Sequence, residues 1–411
     1  LSPKMVGKRA TRRTKATRKP GRRISRRAKK AAPLAAPISM RGIQDISFME
    51  VRPAVLEPPA KSPEKRALLN KLPTNPIIAP NPSHRWEAYQ TFNAGAILLD
   101  GRVHLLYRAI GVDGISRFGY ASSSDGFNVD ERLPYPVYER KMERLSFSPS
   151  ASGGGFGGCE DPRIIKIEED GRIYVTYNAF GPGELRVGFT SIRVDDFLNR
   201  RWRWSEERLI SPPGEVHKNF VIFPEKINGR YAILHSISPK IRITYLDSLE
   251  FDDGIYINSY HEPHSNGNGW EVAVKSPGPP PIKTSDGWLL LYHGLDKREP
   301  WKYKIGLMLL DLDNPERILA VSRYPIIEAD QSYENIGFKP GIVYTNGAVV
   351  KDGELIVYYG SADTYVSAAY IPLDEILDYL RREMELTRDI DKEKLLLLNG
   401  SPNGMIIKSH A

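Results

Sequence analysis

A short run, Gly157-Gly158-Cys159-Glu160-Asp161-Pro162-Arg163, carries two adjacent carboxylates into an otherwise apolar stretch. Carboxylates are rarely buried without a partner. Asp161 is therefore either a structural ion pair, with Arg163 or Arg108, or an acid with work to do. Other polar residues interrupt apolar segments along the chain: Asn93, Arg108, Lys218, Asn219, His235, Lys283, His293, Tyr303 and Asp363. Taken together they set one carboxylic acid against a collection of Arg, Lys, Asn, His and Tyr donors. Phosphorolysis of a glycoside needs that combination. The acid protonates the departing sugar oxygen, and the donors cradle the phosphate that attacks the anomeric carbon. An inverting hydrolase needs a second carboxylate there, to activate water.

Such residues lie far apart in sequence, so the scaffold must gather them. From residue 90 the chain repeats loosely. Asp100-Gly101, Asp170-Gly171, Asn228-Gly229, Asp286-Gly287 and Asp352-Gly353 each sit between β-prone runs, at spacings of 70, 58, 58 and 66 residues. Asp-Gly and Asn-Gly are strong hairpin signals, because type I′ turns need positive φ at both central positions. Seven residues after the turn Asp or Asn come Tyr107, Tyr177, His235, His293 and Tyr359. Five multi-strand units predict an all-β fold, a five-bladed β-propeller over residues 74–375; a β-sandwich is the competing architecture. A propeller brings equivalent strand ends of every blade to one axial funnel. Leu373, Ile376, Leu377 and Leu380 have helical spacing, which predicts a short C-terminal helix, with helix and tail filling 376–411.

Hydrophobic residues make up 41% of the 411, enough for a sizeable core. The net charge of +8 belongs to the tail: residues 1–41 hold 15 Lys and Arg and no acid, leaving the rest at −7. The folded part is thus acidic, and the basic pI is no argument that it binds nucleic acid. The tail is too poor in apolar residues to fold and is expected to be disordered, a candidate for nonspecific polyanion binding. Residues 42–73 read as a linker. No apolar run approaches the roughly 20 residues of a membrane helix, so no membrane association is expected. Cys159 stands alone, which excludes an intrachain disulfide and suits a cytoplasmic location.

The motifs FNAGA, LLYRA, GCEDPR, KN-x-x-x-FPEKI-x-G, PPPIKT, YHG and YYGSADT, in that order, resemble glycoside hydrolase family 130, the β-mannoside phosphorylases and related β-mannosidases. The resemblance covers about residues 74–375. It implies an inverting reaction on a β-mannoside, with α-mannose 1-phosphate as the phosphorolytic product. It makes Asp161 the general acid, working through a sugar hydroxyl relay. It places Asn93, Arg108, Arg163, Tyr344 and Asp363 around the sugar, and Lys218, Asn219, Lys283, His293 and Tyr303 around phosphate. It implies inorganic phosphate as co-substrate, no cofactor and no metal, and it is compatible with a homo-oligomer.

One departure matters. Phosphorylases of this family carry Arg after the third-unit Leu-His, whereas here the order is Leu234-His235-Ser236. An Arg–phosphate fork is bidentate, and a hydroxyl does not replace it. Lys240 or Arg242 could reach the space. An inverting β-mannosidase therefore stays open as the alternative, with Glu215 or Glu225 as its base; the intact Asp161 motif argues against a non-catalytic binding module. Trp86, Trp202 and Trp204 read as packing residues, and Trp301 is the best exception.

Overall fold

A computed structural model describes residues 68–141, 153–182, 184–252, 254–262, 270, 273–296 and 299–399. The basic tail and most of the linker lie outside these residues. Strand β1 (Asn70–Lys71) precedes the repeats. The first unit holds β2 (Gln90–Leu99), β3 (Arg102–Ile110), β4 (Ile115–Ser123) and β5 (Glu131–Arg132). The second holds β6 (Gly157–Ile167), β7 (Arg172–Gly181), β8 (Glu184–Arg193), a single-turn α1 (Val194–Leu198) and β9 (Arg208–Leu209). The third holds β10 (Val221–Ile222), β11 (Tyr231–Ser236) and β12 (Arg242–Leu246). The fourth runs through β13 (Ala273–Pro277), β14 (Ile282–Lys283), β15 (Trp288–Asp296), β16 (Glu299–Leu310) and β17 (Ile318–Val321). After α2 (Ser332–Asn335), the fifth is β18 (Val343–Lys351), β19 (Glu354–Ser361) and β20 (Tyr365–Pro372).

Each unit is an antiparallel meander. The first two join into one sheet through a two-residue parallel pairing, Ile115 to Gly157 and Ser116 to Gly158. β1 pairs with β20, so the folded part begins before Thr74 and an N-terminal strand completes the last unit. Apolar faces of neighbouring units share cores: Leu291, Ile305 and Leu307 of the fourth pack with Val343, Val357 and Tyr359 of the fifth. Backbones of first strands approach closely. A Cβ on Gly347 would lie 2.6 Å from the Ala94 oxygen, and one on Gly95 would lie 2.6 Å from the Pro162 oxygen. Only glycine permits these two contacts.

Loop length decides the turn chemistry. Where two residues separate the paired strands, both have positive φ: Asp100 48° and Gly101 75°, Asn228 51° and Gly229 79°, Asp352 52° and Gly353 81°. The Asp170 and Asp286 loops contain two further residues, since the flanking pairs are Ile167 with Arg172 and Lys283 with Trp288. There Asp170 ends a 3₁₀ turn capped by a left-handed Gly171, so the type I′ signal misses.

The C-terminal helix α3 (Leu373–Asn399) spans 27 residues, further than the apolar pattern indicated. Its Ile376 and Leu380 are buried in the core shared by the fourth and fifth units. Among the described residues no helix is long and apolar enough to cross a membrane.

Candidate active site

The first strand of four units, all but the third, breaks register once, and the break aims a polar side chain. In β2, Asn93 and Ala94 together face the single Tyr107 between the Phe92–Arg108 and Gly95–Leu106 pairs. In β6, Asp161 and Pro162 together face the single Tyr177 between Glu160–Asn178 and Arg163–Thr176. Lys275 in β13 and Asn346 in β18 are bulged likewise, whereas in the third unit the break falls at His235 on the middle strand β11. Pro162 cannot donate to a ladder, so a bulge suits it. Asn93 and Asp161 adopt left-handed backbone, φ 49° and 53°, a region Asn and Asp tolerate better than other non-glycine residues.

Asp161 is buried, 8% exposed. Its Oδ1 accepts from Asn93 Nδ2 at 2.8 Å and Arg108 Nη1 at 3.4 Å, and its Oδ2 from Asn178 Nδ2 at 3.3 Å. Arg108 is wholly buried and donates to Glu160 Oε1 at 2.7 Å and to the Gly154 oxygen at 2.9 Å. The structural ion pair and the acid thus coexist: Glu160 takes the tight pair, and Asp161 takes the longer contact. Asn93 Oδ1 is buried against Gly360 without a hydrogen-bond partner among the described residues.

Asp363, also left-handed at φ 48°, is held by Lys339 Nζ at 3.2 Å. Burial raises its pKa, against the opposing fields of Lys339 and Arg108. Tyr344 stacks on His293 with centroids 3.7 Å apart and ring planes at 7°, and Tyr303 meets Tyr344 edge-on at 6.0 Å. Burial pushes the Tyr303 phenol up to about 12, so both tyrosines remain neutral donors.

Arg163 differs in role from what the resemblance implies. Its guanidinium donates to the Asp161 oxygen at 2.9 Å, the Gly278 oxygen at 2.9 Å, the Pro277 oxygen at 3.3 Å and Asn219 Oδ1 at 3.0 Å. It ties the second, third and fourth units together and positions Asp161 through its backbone. Asn219, at φ 65°, also receives Asn178 Nδ2 at 3.1 Å on the same oxygen.

Two residues expected at phosphate do not serve as cations there. His293 is completely buried: Nδ1 lies 3.0 Å from Ser276 Oγ, and Nε2 lies 3.0 Å from the Thr345 amide. Burial, reinforced by Arg163, lowers its pKa well below the ordinary value. It is a neutral ring supporting Tyr344. Lys283 sits on β14 opposite Trp288, at the far end of β15 from His293, roughly 16 Å along the strand. It is 50% exposed and pairs with Glu225. Lys283→Ala should therefore leave the phosphate KM within about twofold. A surface pair of this kind contributes less than about 1 kcal/mol, so the melting temperature should barely move. A large rise in KM would return Lys283 to the site.

The cation the sequence reading missed is Lys275. Burial and the nearby Lys218 charge lower its pKa. His261 feels desolvation first, then Lys275 and Lys218, and is lowered as well. Its Nδ1 lies 3.4 Å from Ser236 Oγ, at the position where the family arginine is absent. Lys218, which precedes Asn219 in the chain, and Lys275 thus lie near enough to feel each other's charge, with His261 as a neutral ring beside them. Asn178 was also missed, though it follows Tyr177 as Arg108 follows Tyr107, so the repeat itself marked it. Lys339 and Asn346 had no such signal. Cys159 is buried, and burial pushes its thiol up, which leaves it inert. No group of three or more metal-ligating side chains occurs among the described residues.

Residues 69–382 match the family model described as beta-1,4-mannooligosaccharide phosphorylase. The chain belongs to glycoside hydrolase family 130. It is 36% identical to the 1,2-beta-oligomannan phosphorylase of Thermoanaerobacter sp. (strain X514), over 75% of this chain and 98% of that protein. It is 33% identical, with the same coverage, to the beta-1,2-mannobiose phosphorylase of that organism. The solved beta-1,2-mannobiose phosphorylase from Listeria innocua superimposes with a TM-score of 0.60 at 25% identity, covering 77% of this chain and 99% of that one. The family 130 member thus carries its GCEDPR motif on a β-bulge whose Asp161 carboxylate accepts from three side chains.

Proposed function

We propose that this family 130 enzyme is an inverting β-mannoside phosphorylase built as a five-bladed propeller. The five meanders are its blades, supported by the close approach of β18, β2 and β6 and by the likeness to the Listeria enzyme. The bulged first-strand residues Asn93, Asp161, Lys275 and Asn346 then face one axis. The proton passes from the Asp161 carboxyl, through a sugar hydroxyl, to the departing sugar oxygen. A phosphate oxygen forms its bond to the anomeric carbon as the glycosidic bond breaks on the opposite side, giving α-mannose 1-phosphate. Inorganic phosphate is a co-substrate, and no cofactor is needed.

The observation that carries phosphorolysis over hydrolysis is the Lys218–Lys275–His261 cluster. The two lysine charges so placed repel each other until an anion binds, and they would not help a base that must activate water, while His261, its pKa lowered by burial, stays a neutral donor beside them. The two carboxylates considered as bases are engaged elsewhere. Glu225 pairs with Lys283 at the surface cleft, and Glu215 bonds His217 Nε2 at 2.7 Å. The test is incubation with β-1,2- and β-1,4-mannosides with and without phosphate. Mannose 1-phosphate should form only with phosphate. Equal release of free mannose under both conditions would make the enzyme a mannosidase and put Glu215 forward as its base.

A further inference from the structure

Three large apolar side chains beside the site face solvent: Trp301 is 65% exposed, Ile336 67% and Phe338 55%. They stand on two loops. Trp301 lies in a bulge of β16 between the Leu295–Tyr303 and Asp296–Glu299 pairs. Ile336 and Phe338 lie in the segment between α2 and β18. The loops touch, since a Cβ on Gly341 would fall 2.7 Å from Lys302 Cγ.

Both loops continue directly into the site. Trp301 is two residues from Tyr303. Phe338 precedes Lys339, which holds Asp363 at 3.2 Å. The Phe338 ring also lies against Gly154, where an added Cβ would be 3.1 Å from ring carbon Cε1, and the Gly154 oxygen receives Arg108. The exposed patch is therefore the outward continuation of the sugar pocket wall.

The second loop is firmly held. The Phe338 amide donates to Thr364 Oγ1 at 2.8 Å, the Lys339 amide to the Ala362 oxygen at 2.9 Å and the Gly341 amide to the Glu334 oxygen at 2.9 Å. Glu334 caps α2, pairs with Lys71 at 2.7 Å and accepts from Tyr359 at 2.8 Å. Exposing apolar rings on so fixed a backbone marks a binding surface. Aromatic rings suit such a surface, because they offer large area and lose few torsions on binding. A pyranose presents apolar C–H faces between hydroxyl edges, which is the complement of such a wall.

We propose that Trp301 and Phe338 form a platform for sugar units of a β-mannan chain beyond the two that flank the cleaved bond. The enzyme then favours oligosaccharides over disaccharides. The proposal rests on the β-mannoside reading of the site. Its test is made by calorimetric binding in the full chain carrying Asp161→Asn, so the answer is independent of whether phosphate or water accepts the mannosyl group. β-Mannobiose and β-mannotetraose of both linkages are titrated into this protein and into versions adding Trp301→Ala, Phe338→Ala or Phe338→Trp. Removing either ring should weaken the tetraose about five- to tenfold, as expected for losing one buried sugar face, and the disaccharide less than twofold. Phe338→Trp should retain the tetraose affinity. Equal weakening of both lengths would overturn the proposal, and so would no weakening of either. A fall in sedimentation mass with unchanged length discrimination would assign the patch to a second copy of the chain instead. Failure of every mannoside to bind the parent protein would reject the substrate reading and this proposal with it. A parent that binds disaccharide and tetraose equally would reject the platform alone.

Discussion

Asp161→Asn should lower turnover by about 10²–10⁴ while the protein stays folded, because proton donation of this kind is typically worth that much. The substitution is well chosen for this site. Asn tolerates the left-handed backbone that Asp161 adopts at φ 53°. The Asp161 backbone oxygen still accepts from Arg163 at 2.9 Å, so the bulge keeps its anchor. One carboxylate oxygen becomes an amide NH₂, which can take the Oδ2 position at the loss of the long Asn178 contact at 3.3 Å. Oδ1 keeps Asn93 at 2.8 Å. The tight buried pair of Arg108 with Glu160 is untouched. Turnover and a thermal melt are measured together. Retention of more than about a tenth of wild-type activity would make Asp161 a structural partner of Arg108, since a general acid is worth far more than that.

The second large effect is expected at Lys275. Lys275→Met keeps much of the apolar stem and deletes the charge, so it should raise the phosphate KM by about 10–100-fold, the equivalent of one charged hydrogen bond at about 1.5–3 kcal/mol. The KM for mannoside should change little. Lys218→Met should act in the same direction but less strongly, since Lys218 is exposed and its field is better screened. An unchanged phosphate KM in both variants would remove the cluster from the reaction. Restoring the family arginine at position 236 is not the simple converse. Ser236 is fully buried, donates to the Ser238 oxygen at 3.0 Å and contacts His261. A guanidinium there would have to displace His261. Arg242 lies opposite Ser236 in the sheet register and lowers the pKa of His235, so it already occupies part of that region.

The sequence determined a good deal by local chemistry. Asp-Gly and Asn-Gly pairs set three two-residue turns, because few other dipeptides accept positive φ twice. Alternating apolar strands dictated antiparallel meanders, and the apolar stripe from Leu373 dictated the helix. The Glu160-Asp161-Pro162 run marked the acid, since two carboxylates on an apolar strand require partners, and Pro162 requires a break in the ladder. Tertiary structure decided which cation faces which group. Lys283 and Lys275 both lie on short strands that pair with β15, and nothing in their neighbours separates them. The pairing does: Lys283 meets Trp288 at the outer end, whereas Lys275 is bulged beside Gly294 and His293. Tertiary structure also decided that His293 is neutral, because its charge state depends on complete burial under Tyr344 and on Arg163. Likewise it decided that Arg163 donates to backbone oxygens of another unit. Burial and long-range pairing arise only when the units close on one another, and the residues of a single strand do not encode them.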